Sequence, residues 1–417
     1  MSQVVEQPRV DVPAGTASAF KVIMILLGIA VTPVLLSSSS IGNQISDAML
    51  VKVVVIGAVI LTLLAAINLS IGEKARLPTY GIVKFAFGQR GAIAINVLMA
   101  VSLFGWIAVT ANMFGHSIQG LLGLAGVAVP LPVPVTLGCA LFVGATAFGI
   151  DMLGKVAQCA VPVIAVVLAY ILWHTGNAQP LAAAAGQLGG MNMGTAVSTV
   201  VGTIIVLVAT LPDFGSFIRN RAHAVIAAVV TFGLVYPLLY WTGAIPSALS
   251  GEGSLLSAAA VFGAALPAAW LLLFATITGN SGNLFQGTLV VSTLLPQAVK
   301  WKISVALAVL AAIVGSMEIM NWFIPFLLFL GIATPPVAGI YIADFFLFRR
   351  GGYDERVLQR ERAVKVGTFV AWLVGAVVGY LTVHGHFTVT TIPSLDSMLV
   401  ASVIYVVLSR LTARRAG

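Results

Sequence analysis

The stretch LLGIAVTPVLLSSSSIG, residues 26–42, decides how this chain folds, together with a second, VVGTIIVLVATLPDFGSF, residues 200–217. Both are apolar enough for a helix in hydrocarbon, yet both are interrupted. The first carries Gly28, Pro33, Ser37 to Ser40 and Gly42, and the second Gly202 and Pro212. A proline has no N–H to return to the carbonyl four residues before it. Backbone freed in this way inside a membrane is tolerated only where protein buries it or where it lines a cavity. A plain kink is the other reading of either segment alone, since glycine and proline are common in membrane helices.

The solvent follows from composition. Of 417 residues, 59% are hydrophobic and only 8% are charged, too few to coat a water-soluble core. Apolar runs of about 20 residues, the length that crosses hydrocarbon as helix, recur between short charged or Gly/Pro-rich breaks. They predict an all-α integral membrane protein of about twelve transmembrane helices, near 20–41, 49–71, 91–120, 132–150, 157–175, 196–216, 224–247, 257–297, 303–317, 322–347, 366–384 and 397–411. The run 257–297 is one long or interrupted element. Alternating ten-residue strands are not seen, which argues against an outer-membrane barrel.

Basic residues set the orientation. With loops placed alternately, Lys74, Arg76, Lys84, Arg90, Lys155, Arg219, Arg221, Lys300, Lys302, Arg349, Arg350, Arg356, Arg360, Arg362 and Lys365 fall on one face. The residues of both termini join them, and of 21 Lys and Arg only Lys52 is left opposite. Short basic loops stay inside, so both termini are expected in the cytoplasm of a bacterial inner membrane. The net charge of +8 then reflects topology and anionic lipid headgroups, with no clustered soluble footprint for nucleic acid. The polar residues 1–20 read as a disordered tail, 21–347 as a ten-helix core, and 348–417 as a basic loop with two further helices.

Five spans precede the sixth, so the two interrupted segments hold corresponding places in two successive five-helix sets. Paired interruptions of this kind point to inverted repeats with a binding site near the midplane. Between apolar runs, ATITGNSGNLFQG (275–287) adds a polar face. Thr276, Asn280 and Asn283 are spaced i, i+4, i+7 on one stripe, with Thr278 and Ser281 on its neighbour. Such a face turns inward, as site or as interhelical packing around Gly279 and Gly282.

TPPVAGIYIADFFLFRRGGYD (334–354), TLPDFGSFIRN (210–220) and PTYGIVKFAFGQRG (78–91) resemble the nucleobase-cation-symport-1 family, most of all its bacterial cytosine permease branch. The match runs from about Ile23 to Asp354. The resemblance implies the leucine-transporter-like five-plus-five inverted repeat with discontinuous helices 1 and 6, and import of a nucleobase or related planar heterocycle with Na⁺ or H⁺. It implies an indole at Trp106 on which a flat ring stacks, and a sodium site from Gly28 and Val31 carbonyls with Ala275 and Thr278. No cofactor is implied beyond the coupling ion. Three positions depart from the family: Ile204 for an aromatic, Ala275 for an amide, and Gly279 for a second hydroxyl. Asn112, Asn280, Ser281 and Asn283 are the polar groups near enough to compensate.

Enzymatic chemistry finds little support. Nearly all carboxylates sit in loops or at helix ends, and only Asp213 and Asp344 approach the interior. Their expected role is structural pairing, with a basic residue such as Arg219 for Asp213 and with Arg349 or Arg350 for Asp344. Cys139, Cys159 and the five histidines show no metal-ligand spacing.

Overall fold

The computed structural model describes residues 15–42, 44–124, 126–146, 149–176, 193–252, 255–317, 319–349, 352–353, 358 and 362–416. The tail before residue 15, the side chains of Pro33 and Ser37 to Ser40, and Arg350, Arg356 and Arg360 lie outside the described set. Among the described residues every regular element is helical, apart from one isolated bridge.

The helices are greasy outside as well as inside, which a water-soluble protein is not, and their polar groups are gathered in a minority of buried positions. On α2 (Asp47–Ala75) the i, i+4 stripe of Val55, Val59 and Leu63 is 53, 56 and 61% exposed, while Asn68 is buried. Lipid supplies the missing apolar neighbour for such a stripe. Seven described helices are long and apolar enough to cross a membrane, and Pro132–Thr146 and Met193–Ala209 are shorter apolar helices. Length and apolarity alone thus support a multi-pass chain but not the count of twelve.

At the centre α1 (Ala19–Gly42) packs against α7 (Met193–Ala209) and α12 (Ala265–Leu294), and α12 packs in turn against α4 (Gly91–Leu124) and α6 (Gly149–Gly176). The expectation of two discontinuous helices is corrected for the first. α1 runs unbroken through Pro33, because one proline removes a single ladder bond, that to the Ile29 carbonyl, and a packed helix absorbs that loss by bending.

The sixth span does part. α7 stops at Ala209, and after Thr210 and Leu211 the chain resumes as the single turn α8 (Pro212–Gly215), with Pro212 at its first position where no donor is needed. Three side chains from other elements bond the carbonyls around this break. Asn68 Nδ2 donates to Val208 O at 2.7 Å, Tyr341 Oη to Ala209 O at 2.7 Å, and Thr79 Oγ1 to Thr210 O at 3.3 Å. Close approach makes it possible: a Cβ on Gly72 would meet Pro212 O at 2.5 Å, and one on Gly215 would meet Leu69 O at 2.4 Å.

Other elements sharpen the predicted spans. The long run 257–297 is interrupted, as α11 (Leu255–Val261) and α12 separated by a turn at Gly263, φ +76°. The seventh span joins α9 (Arg221–Ala228) to α10 (Tyr236–Ser250) through a π-helical stretch, Val229–Val235. The tenth breaks at Thr334, between α14 (Phe323–Ala333) and α15 (Pro335–Ala343), where two prolines restart the helix. A short buried helix, α3 (Thr79–Phe87), was not foreseen between the second and third spans.

The basic end of the bundle is tied shut. Ala17, assigned by the sequence to a disordered tail, is 1% exposed and pairs with the segment after α8: its N–H donates to Phe217 O and its carbonyl accepts from Arg219 N. Arg76, at the end of α2, donates to the carbonyls of Ser216, Ile218 and Arg219 and pairs with Glu73. Lys21 pairs with Asp151 across α1 and α6. The last spans, α16 (Val366–Val383) and α17 (Pro393–Ala416), pack on each other and on α15.

Candidate functional site

A cavity of about 30 Å³ lies where α1, α4, α7 and α12 meet. Ile29 faces it from α1, Leu103, Trp106 and Thr110 from α4, Thr203, Ile204, Val206 and Leu207 from α7, and Gly279, Asn283 and Gln286 from α12. Thr210 closes it at the break after α7. Room for about two waters is less than a planar heterocycle needs, so these helices must separate to admit one.

The wall is chemically uneven. Trp106 is buried and meets Phe326 edge-on, ring centroids 6.0 Å apart at 71°, which fixes the plane of the indole. The hydroxyls of Thr110, Thr203 and Thr210 are turned back on their own helices, to Trp106 O, Thr199 O and Val206 O. Asn283 differs: among the described residues its amide makes no hydrogen bond, so both a donor and an acceptor are open to the cavity.

Of the residues singled out by sequence for substrate, Trp106 and Ile204 line this cavity, and Asn112, Ala275, Asn280 and Ser281 do not. In this structure these four occupy packing positions. Asn112 Nδ2 donates to Gly315 O at 2.8 Å and receives the end of α13 (Lys300–Gly315). Asn280 Nδ2 donates to Ile107 O at 3.0 Å, tying α12 to α4. Ser281 Oγ bonds Ile277 O within its own helix at 2.6 Å, and Ala275 is fully buried. The polar stripe is real, but its cavity end is Asn283 and its other members serve helix packing.

The oxygens proposed for a cation do converge in part. Thr278 Oγ1 lies 2.9 Å from Gly28 O and 3.1 Å from Ala275 O, while Val31 is buried on the same helix as Gly28. A single hydroxyl proton cannot serve both carbonyls and Phe274 O at 3.0 Å, so the cluster is rich in acceptors. Neutral oxygens are what a hard cation takes. The contact is tight: a Cβ on Gly28 would meet Thr278 Cβ at 2.9 Å. Gly279, without the second hydroxyl, faces the cavity.

Sequence reasoning missed Gln286 and misplaced Asp213. Gln286 lines the cavity and is itself buried, its Nε2 donating to Asp213 Oδ2 at 3.0 Å and Thr210 Oγ1 at 3.2 Å. Asp213 Oδ1 accepts from Thr79 N at 2.8 Å, at the first turn of α3, where the helix N-terminus favours a carboxylate. The expected pairing with Arg219 is absent. Asp344 does pair, its Oδ2 3.3 Å from Arg349 Nε and its Oδ1 accepting from Tyr405 Oη at 2.7 Å. The spacing of Gln286 three residues after Asn283 was the available signal, since i, i+3 puts two amides on one face.

An all-helical membrane protein with a broken sixth span, whose central cavity pairs an indole with one open amide, has the build of a small-molecule carrier rather than an enzyme. The chain belongs to the family of permeases for cytosine/purines, uracil, thiamine and allantoin, whose profile matches residues 10–407. It is 26% identical over 395 residues to the cytosine permease of Escherichia coli strain K12, covering 91% of this chain and 88% of that one, and the counterpart in strain O157:H7 aligns equally well. Among solved structures it superposes on Mhp1, a nucleobase-cation-symport-1 family transporter, closed with bromovinylhydantoin bound, at TM-score 0.78 and 19% identity, over 97% of this chain and 94% of the other. The inward-facing Mhp1 conformation gives 0.76 at 19% identity, over 96 and 92%. A Na⁺-coupled sialic acid symporter gives 0.69 at 12% identity, over 95 and 90%. The fold is thus leucine-transporter-like, and the protein is a nucleobase-type transporter of a membrane.

Proposed function

We propose that this protein is a secondary active symporter that imports a nucleobase such as cytosine, or a related planar heterocycle, by alternating access. The observation that carries the reading is the pairing, in one cavity, of the Trp106 indole with the unbonded amide of Asn283. A flat ring stacked on the indole presents its edge to that amide, whose adjacent donor and acceptor match a cyclic amide or amidine bidentately. Ile204 gives the other face an aliphatic wall.

The cavity is too small for such a ring as it stands, so binding must accompany separation of the α1 and α7 side from the α4 and α12 side. The basic end faces the cytoplasm of a bacterial inner membrane in this reading, with both termini on that side. A coupling cation, Na⁺ or H⁺, makes uptake concentrative. Gly28, Val31, Ala275 and Thr278 are the candidate Na⁺ ligands, joined by reciprocal coupling to substrate affinity.

A second cargo class, hydantoins, allantoin or hydroxymethylpyrimidines, is favoured by Ile204, which gives a wall less aromatic than a cytosine carrier is expected to have. A thermal-shift panel of these compounds and nucleobases, in Na⁺ and in choline, separates the cargoes. Uptake into proteoliposomes then tests the carrier itself. Accumulation above equilibrium under an imposed ion gradient is expected, and mere equilibration would mark a passive facilitator.

A further inference from the structure

Asp213 is 1% exposed, and no cation lies within ion-pair distance of it among the described residues. Its partners are neutral donors: the Thr79 N–H on one oxygen and the Gln286 amide on the other. The titratable side chains that face it are Tyr80 of α3, whose buried hydroxyl lacks a partner, and Tyr341 of α15, whose hydroxyl is committed to Ala209 O. Arg76, which caps α2, is spent on Glu73 and on carbonyls of the segment after α8. From α12, Gln286 alone reaches it, and Gln286 also lines the cavity. A buried carboxylate without a countercharge is costly, and two donors offset only part of that cost.

We infer that Asp213 is the proton-binding site of the transport cycle, linked to the substrate cavity through the Gln286 amide. This deepens the carrier reading above and rests on it. The chemical step is protonation alone: one proton adds to Oδ2 of the carboxylate, and no other bond forms or breaks. The ionised carboxylate draws Gln286 Nε2 toward itself. Once Oδ2 carries a proton it becomes a donor, Gln286 turns to accept from it through Oε1, and Nε2–H is released toward the cavity. A substrate acceptor then completes the exchange, so proton and substrate favour each other. When the basic end opens, the Ala17–Ile218 closure parts, water reaches Asp213 and the proton leaves on that side.

The same geometry explains why α3 is buried. Its first N–H holds the carboxylate, while its last carbonyls are held by the other half of the molecule: Phe85 O accepts from Arg349 Nη2 at 3.0 Å and Lys365 Nζ at 2.7 Å. Acid at the N-terminus and bases at the C-terminus both suit the helix dipole. α3 therefore ties the protonation site to the scaffold.

The test uses the full chain in proteoliposomes with an equimolar mixture of cytosine, uracil, allantoin and hydantoin, in choline medium without Na⁺. Counterflow of the mixture by the wild type reports on the carrier reading alone, and its absence defeats that reading rather than this one. With an acid exterior, the wild type should accumulate label about tenfold per unit of pH difference, the limit for one proton per substrate. Asp213→Asn should keep counterflow and lose accumulation. Accumulation surviving in Asp213→Asn, or wild-type uptake indifferent to the pH gradient, overturns the assignment.

A second measurement needs no variant. A hydrophobic carbodiimide adds to protonated carboxyls and rearranges to an N-acylurea, which peptide mapping locates. Labelling at Asp213 that declines as pH rises, with none at Asp344, is expected, and no label at Asp213 at any pH overturns the inference.

Discussion

Two carboxylates sit at the basic end of this molecule, each 1% exposed, and they are finished in opposite ways. Asp344 is complete: Arg349 neutralises it, Tyr405 caps its other oxygen, and Arg349 goes on to α3. Asp213 is met only by a backbone N–H and a side-chain amide that also belongs to the cavity. The two amides of α12 differ in degree: Asn280 Nδ2 is bonded to Ile107 O while its buried Oδ1 has no partner among the described residues, and Asn283, nearly one turn on, makes no hydrogen bond there at all. Where polar groups are satisfied the protein is built to stay. Where they are left incomplete it is built to exchange partners, since an unmet buried donor or acceptor is what a ligand can repay.

That contrast can be broken by mutation. Asp344→Ala should be the most damaging change, leaving Arg349 uncompensated and costing about 3–5 kcal/mol of stability. Unfolding of the purified protein in detergent should show it, and an equal loss in Asp213→Asn would erase the distinction between the two acids. Trp106→Ala should leave folding largely intact and weaken binding of the planar substrate by about 1–3 kcal/mol, read by titration calorimetry. Unchanged affinity would return the indole to packing.

The amides sharpen the comparison at smaller scale. Asn283→Ala should cost about 0.5–1.5 kcal/mol of substrate affinity with no change in melting temperature. Asn280→Ala should do the reverse, losing about 1 kcal/mol of stability while affinity holds. If the two exchange behaviours, the cavity has been drawn on the wrong residues. Smallest of all is the expected response of Thr278→Val: substrate affinity in choline stays as in the wild type, and any increment from Na⁺ disappears. A surviving Na⁺ increment would remove Thr278 from the ion's ligands.

Much of this was readable from residues alone, and the failures have physical causes. The i, i+4, i+7 stripe on α12 correctly turned inward, but which of its members meets a cavity depends on the rotation of α12 against α4. The hydrogen bond of Asn280 to Ile107 O settles that rotation. Gln286 escaped notice because a single amide near a glycine looks like any packing residue until its partner, Asp213, is brought from 73 residues away. Pro33 and Pro212 looked alike in the sequence. One lies within a continuous helix, the other starts a new turn after a break whose carbonyls Asn68, Tyr341 and Thr79 bond.

By itself the sequence determined the solvent and the approximate spans, because hydropathy acts on each segment separately and needs no neighbour. It also placed Trp106 and Ile204 on spans that the structure brings to one cavity. Only the tertiary structure decided which helix breaks, which amide is open and which acid lacks a cation. Each of those is a matter of what stands opposite, and burial makes the presence or absence of a partner decisive.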